Sequence, residues 1–308
     1  MSVPALSARH RRVRRTELWA YAFLLPTIVL YGVFTVYPIV GSYWYSFVDW
    51  NGFDAIKTFV GLDNYREALS DPLFWNAFKV TILFTVVAVP VKVFSGFLLA
   101  LVLNSPRMPW KGFFRTGFFL PVVTTTAIVG VVMQFIFDPT SGPVNGALLE
   151  LGLTDEGVNF LGDARTALWT VVAVFVWKWF GQTLIYWLAA LQTIPTELYE
   201  AASIDGASSP RRMWSITLPL LKPFTIIITL LTLESTLHVF DLMLTMTGGG
   251  PFFATQVVEI FIYEQAFASS VPRLGYASAV AVLFGLFVFV VGLFQLVGVR
   301  AVQRARQA

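Results

Sequence analysis

Six apolar runs, at about 18–47, 76–104, 113–137, 166–191, 223–246 and 274–299, decide what this 308-residue chain can fold into. Each approaches or exceeds the roughly 20 residues that an α-helix needs to cross a bilayer core. Lipid offers no hydrogen-bond partners, so a crossing backbone must satisfy its own N–H and C=O groups, which a single apolar run does only as a helix. The expected fold is all-α: a polytopic membrane protein of six transmembrane helices over 18–299, with a basic tail at 1–17 and a short tail at 300–308. Charged residues are 13% of the chain, about half the share usual in soluble domains, which argues against an ordinary globular domain.

Six spans put both ends on one side of the membrane, and the charges say which. With the N-terminus inside, fourteen basic residues fall in the cytoplasm. They are five arginines of the tail, then Arg107, Lys111 and Arg115, then Arg211, Arg212 and Lys222, and finally Arg300, Arg304 and Arg306. Only Lys57, Arg66, Lys79, Arg165 and Arg273 lie outside or at its boundary, so the positive-inside rule places both termini in the cytoplasm. A cleaved signal peptide would have a shorter apolar core and a small-residue cleavage site, so the first run is expected to remain as a span. Topology also accounts for the basic tail without nucleic acid, since no folded reader adjoins it. Cysteine is absent and the histidines are His10 and His238, which removes disulfides, thiolate metal sites and histidine metal clusters.

The longest polar interruption on the cytoplasmic side is 194–223, IPTELYEAASIDGASSPRRMWSITLPLLKP. Pro195 and Thr196 offer a turn, and Glu197 to Ile204 read as a short helix with acids in its first turns, as the helix dipole prefers. Gly206 supplies the left-handed backbone that a helix stop often needs. Ser208, Ser209 and Pro210 then open a second helix, with a serine able to cap it and proline tolerated in its first turn. The spacing Glu200-Ala201-Ala202, x3, Gly206, x9, Ile216-x-Leu218-Pro219 resembles the signature loop of binding-protein-dependent ABC importer permeases. Other stretches follow in the same order: FVGLDNY near residue 60, LAALQTIPTELYEAASIDGAS, ITLPLLKP and TGGGP. The chain is similar to the permease subunits of maltose and glycerol-3-phosphate uptake systems.

That resemblance implies a type I ABC importer permease fold with a cytoplasmic coupling helix-turn-helix, in the bacterial plasma (inner) membrane. It assigns ATPase contact to Glu200, Ala201, Ala202, Ile204, Asp205, Gly206 and Ala207. It further implies a second permease subunit, two ATPase subunits and an extracytoplasmic solute-binding protein. No cofactor is expected in this chain, because it carries no Walker A sequence; ATP and Mg would be bound by the partner ATPase, and the chain itself is not expected to be an enzyme. After the fifth run, TGGGPFFATQ could suggest a phosphate-cradling loop, but no Gly-Lys-Ser/Thr follows. The resemblance reads it instead as an external loop dipping toward the translocation path. The acidic, turn-rich stretch 138–165 is a plausible surface for a delivered binding protein.

Charges inside spans are costly and need a partner, a wet cavity or a function. Counted at about 1.5 Å per residue, Lys92, Lys178 and Glu234 share a depth of roughly 18–21 Å from the cytoplasmic side, which leaves a Lys178–Glu234 or Lys92–Glu234 pair open as a structural or a functional feature. Glu234, His238 and Asp241 are spaced i, i+4, i+7, one face of a continuous helix that should avoid lipid. Trp179, Gln182 and Tyr186 form an aromatic and polar stripe on the fourth run. Aromatic faces stack on the apolar faces of sugar rings while amides and carboxylates bind hydroxyls. The expected substrate path is therefore Trp179, Gln182, Tyr186, Lys178, Glu234, His238 and Asp241, although His238 taken alone reads better as a hydrogen-bonded packing residue. The acidic and aromatic positions suit a neutral sugar; the two lysines leave an anionic solute open. An ion- or proton-coupled transporter or channel, using Lys92, Lys178 and Glu234 as its path, is the alternative, and a membrane-embedded enzyme using the Glu-His-Asp stripe comes third.

Overall fold

A computed structural model describes residues 19, 21–105 and 108–307, with the helical backbone alone beyond residue 296. The basic tail at 1–17 and Arg107 lie outside the described residues. The chain divides into two compact units, one of Met1–Ala68 with Gln265–Leu283, the other of Leu69–Glu264 with Phe284–Ala308.

In the first unit, α1 (Tyr21–Tyr45) is apolar and exposed along its length. A wider, π-helical turn at Gly32–Val36 precedes Pro38, whose missing N–H and bulky ring a regular helix tolerates poorly. Two short strands, β1 (Val48–Asp49) and β2 (Thr58–Phe59), pair antiparallel with Val48 opposite Phe59. Asn64 donates to the carbonyls of Ser46 and Val48, 3.0 Å each, which fixes the strands on α2 (Asp63–Ser70). The Arg273 guanidinium grips Glu67 with both carboxylate oxygens, at 2.7 and 2.6 Å, and lies over the Tyr276 ring.

The second unit is built on α3 (Pro72–Asn104), capped by the Asp71 carboxylate on the Leu73 N–H, and α7 (Ala167–Leu191). A small residue lets these helices touch, since a Cβ at Gly96 would sit 3.1 Å from the Leu184 backbone; on another side of α7, a Cβ at Gly181 would lie only 2.1 Å from the carbonyl of Phe118 in the third run. One apolar cluster gathers Phe84, Phe175, Leu242, Met243 and Ile260, with Phe84 and Phe175 edge to face at 5.1 Å. A second gathers Leu103, Leu184, Trp187, Leu191 and Leu221 toward the other end of the same helices.

Two apolar runs depart from the single helices expected of them. The third is split into α4 (Lys111–Val123) and α5 (Thr126–Ile136), bent by 99° at Thr124 and Thr125, just beyond Pro121. The fifth belongs to α9 (Ser209–Leu237), which begins fourteen residues before the expected span at 223 and stops at Leu237; His238 and Val239 are not helical, and α10 (Phe240–Met246) starts afresh. A π-helical turn at Met213–Thr217, closed by the Leu218 N–H on the Met213 carbonyl, widens the helix just before Pro219, and α9 also continues through Pro223. Among the described residues, five helices are long and apolar enough to cross a membrane, and the bent pair makes a sixth candidate. The remaining helices are α6 (Pro143–Glu150), α8 (Thr196–Ile204), α11 (Val258–Tyr263), and α12 (Leu274–Gln307), which continues past the expected boundary at 299.

The stretch 138–165 is ordered by its own polar groups. The Asp138 carboxylate accepts from the backbone and hydroxyl groups of both Thr140 and Ser141, which draws its pKa down to about 2.

Candidate functional site

The polar segment after α7 folds into an exposed hairpin. Helix α8 ends at Asp205, and Gly206 follows at φ +74°. The Ala207 N–H reaches the Ala202 carbonyl at 2.8 Å and the Gly206 N–H reaches Ser203 at 3.1 Å, the paired bonds of a Schellman stop. Ser208 precedes α9 in extended conformation but makes no side-chain cap, so the capping serine expected there is not used; Pro210 takes the first turn as expected. Two cross-links hold the arms together: Tyr199 Oη with Thr217 Oγ1 at 2.9 Å, and Arg212 donating to Ser203 Oγ at 2.7 Å. Tyr199 and Ile216 also pack on the apolar cluster around Trp187 and Leu221. The outer face carries Glu200, Ala201, Asp205 and Gly206, with Ile204 87% exposed and Ala202 and Ala207 half-buried.

A second feature lies where α9 breaks. A cavity of about 450 Å³ is walled by Thr126 at the start of α5, Phe175 and Trp179 of α7, Glu234 and Ser235 of α9, and the segment His238–Leu242 with Glu259. Glu234, His238 and Asp241 do meet here, though not as one helical face, because the helix stops between them. Glu259 organises the break: its carboxylate pairs with His238 Nδ1 at 3.0 Å and accepts the Phe240 N–H at 2.9 Å, serving α10 as the cap that Val239 does not provide. His238 Nε2 stands 4.0 Å from Glu234. Glu259 was absent from the expected path because it is twenty-one residues from His238 and follows a glycine-rich loop that reads as external. The segment after that loop packs on α3, with the Val258 N–H on Thr81 Oγ1 and the Asn76 amide on the Phe253 carbonyl.

The other expected path residues separate. Gln182 donates to Tyr186 Oη at 2.9 Å, and neither lines the cavity. Shared depth leaves Lys92 or Lys178 open to pairing with Glu234, but among the described residues neither lysine meets a carboxylate. Lys178, fully buried, donates to the carbonyls of Thr124 at 2.8 Å and Pro121 at 3.1 Å. Both carbonyls lie where α4 ends, that of Pro121 also accepting the Thr124 N–H at 3.3 Å, so the ammonium adds donors and a favourable charge at a broken helix terminus. Its Nζ also lies 4.3 Å from the centre of the Trp179 ring. Lys92, 1% exposed, reaches Ser235 Oγ at 3.3 Å and faces the Phe175 ring.

The fold has counterparts among known proteins. Residues 92–304 match the family described as the inner membrane component of binding-protein-dependent transport systems. The chain is 36% identical over 263 residues to the trehalose/maltose transport system permease protein of Thermococcus litoralis, covering 85% of this chain and 87% of that one. It is 33% identical to the lactose transport system permease protein of Rhizobium radiobacter, over 96% and 99% of the two chains. Among solved structures, a chain of a bacterial ABC transporter involved in import of the acidic polysaccharide alginate superposes with a TM-score of 0.80 at 24% identity, covering 95% of this chain and 99% of that one. A second alginate transporter structure, in complex with a periplasmic protein bound to an alginate pentasaccharide, gives 0.78 at 24% identity, over 92% and 94%.

Proposed function

This chain belongs to the family of inner membrane components of binding-protein-dependent transport systems, and from that premise we propose that it forms half of the transmembrane path of an ATP-driven sugar importer. It would work with a second permease subunit, two ATPase subunits that bind ATP and Mg, and an extracytoplasmic binding protein that delivers the solute. In this reading both termini and the 194–223 hairpin face the cytoplasm, the side that the distribution of basic residues favours.

The observation that carries this reading is the exposed hairpin, a rigid knob with a bare Ile204 at its tip and a clamped base. The residues from Glu200 to Ala207 seat it on an ATPase subunit. Closure of the ATPases pushes α8, and the push passes through Tyr199 and Thr217 into α7 and α9. Helix α9 leads to the break at His238, so movement of the knob reaches the cavity where Trp179, Glu234, His238 and Asp241 contact the solute. Alternating access then comes from two packings of these helices, not from chemistry in this chain.

The chain has no cysteine, so single substitutions give clean cross-linking handles. Ala201→Cys and Ile204→Cys should each form a disulfide to a cysteine placed in the ATPase subunit, with a yield that changes on ATP addition. If neither residue cross-links in complexes that still transport, the proposed docking does not exist.

A further inference from the structure

We propose that the β1–β2 hairpin after the first span is a membrane-surface anchor, with the apolar tip of its turn seated among the phospholipids that surround the end of α1. Only the crossing of the bilayer by α1 is needed for this, and no property of the solute.

Two spans fix the level of the hairpin within the first unit. The chain leaves α1 at Tyr45 and turns straight back on the last turn of that helix, so that the Phe59 ring of β2 stacks on Trp44 with ring centres 6.4 Å apart. At the start of α12, the Gly275 N–H donates to the Trp50 carbonyl at 3.0 Å, and a Cβ at Gly275 would lie only 2.0 Å from the Val48 carbonyl. The end of one span and the beginning of another therefore hold both strands at one height. The 25 residues of α1 make a helix of about 37 Å, against about 30 Å of hydrocarbon, so its terminal turns reach the headgroup layers. Tyr43, Trp44 and Tyr45 occupy that last turn, as aromatic residues do at a bilayer interface.

The turn between the strands is ordered. Asn51 accepts the Phe53 and Asp54 N–H groups at 3.0 and 2.9 Å and donates to the Asp54 carboxylate at 2.8 Å, while the Trp50 indole donates to the Asp54 carbonyl at 2.8 Å. This framework holds out Phe53 at 83% and Ile56 at 79% exposure, apolar surface that water disfavours. Lipid is the occupant that the location supplies. Phe59, stacked on Trp44, continues the exposed apolar surface of α1, and no residue from 21 to 45 is buried.

Lys57 adds a charge suited to phosphate. Its ammonium lies 4.1 Å from the centre of the Trp50 ring and 4.9 Å from that of Tyr45, and among the described residues it meets no carboxylate. Long basic side chains reach toward headgroups in this way while their stems lie along apolar surface. Because α1 has no buried residue to fix its depth, the hairpin sets how deep that helix sits.

The chain has no cysteine, so Phe53→Cys, Ile56→Cys and Thr58→Cys each report singly in an importer whose other subunits are cysteine-free. Thr58 stands opposite Asp49, on the face of the ribbon away from Val48 and Phe59, and serves as the aqueous reference. Each cysteine is labelled with an environment-sensitive fluorophore, and the intact importer is placed in nanodiscs with and without phospholipids carrying a nitroxide near the headgroup. Labels at 53 and 56 should emit at shorter wavelength than the label at 58 and be quenched at least twofold more, with or without binding protein. Adding Lys57→Glu to the Ile56→Cys chain should lower the quenching, and equal quenching there overturns the part given to the lysine. Quenching at 53 and 56 no greater than at 58 overturns the anchor itself. So does shielding that appears only when binding protein is added, or short-wavelength emission without nitroxide quenching, either of which means that protein covers the turn.

Discussion

At the scale of single residues, Lys178 shows how a costly group is accommodated at membrane depth. A buried ammonium needs partners, and the broken third span needs donors for its last carbonyls; the two requirements meet at 2.8 and 3.1 Å. Replacing Lys178 by Met removes the donors while keeping much of the packing volume, and should destabilise the purified complex by about 2 kcal/mol or more, since hydrogen bonds to charged groups contribute about 1.5–3 kcal/mol each. Lys178→Gln retains a donor and should fall between Met and the native residue. Thermal unfolding of the complexes checks the order, and a Met variant as stable as the native chain would mean that the bend holds itself. Asp138 is a simpler case outside the membrane: its carboxyl is held at about 2, so its contribution to the 138–141 turn is complete above the ordinary carboxylate range and lost as pH falls through about 2.

At the scale of elements, the hairpin of α8 and α9 gains its stiffness from a helix stop that glycine makes easy. A Cβ at Gly206 would meet open space, so Gly206→Ala isolates the backbone cost of φ +74°, on the order of 1 kcal/mol. Gly206→Pro is worse: proline cannot adopt that φ and removes the N–H that reaches Ser203. We expect Gly206→Pro to insert in the membrane normally yet hydrolyse ATP without stimulated uptake, and Gly206→Ala to show a partial loss. The ratio of solute moved to ATP hydrolysed measures this, and a native ratio in the Pro variant would refute the lever. Arg212→Ala, which cuts the clamp to Ser203, should raise deuterium exchange in 199–206 without altering exchange in α3 and α7. The π-helical turn at Met213–Thr217 accommodates Pro219, and α9 continues past Pro223 as well, so the second arm of the hairpin and one wall of the cavity sit on one unbroken element.

At the scale of the whole molecule, the proposed topology predicts that cysteines introduced at Ser2 and Gln307 react with a membrane-impermeant maleimide in inside-out vesicles and not in intact spheroplasts; labelling of either one in intact spheroplasts would reverse that end of the chain. The number of long apolar runs, their helical state and the helix, stop and helix of 194–223 were all legible in the residues, because each rests on local physics: length against bilayer thickness, and a glycine at a helix end. Membership of the permease family was legible for the same reason, its signature being contiguous. Partners at a distance were not. Depth along separate spans allowed Lys92 or Lys178 to meet Glu234, but depth says nothing about rotation or about which helices break. The 99° bend after Pro121 and the stop at Leu237 have no unambiguous local signal, since prolines at 90, 219 and 223 lie within helices that continue. Those two breaks decide that Lys178 serves carbonyls, that Glu259 comes from beyond the glycine loop to hold His238, and that the cavity is acidic. Apolar length by itself determined that this chain spans a membrane, because the cost of an unsatisfied backbone in lipid is local and large. The lining of its path was settled only by tertiary structure, because side-chain partners there depend on how separately folded helices end, turn and face one another.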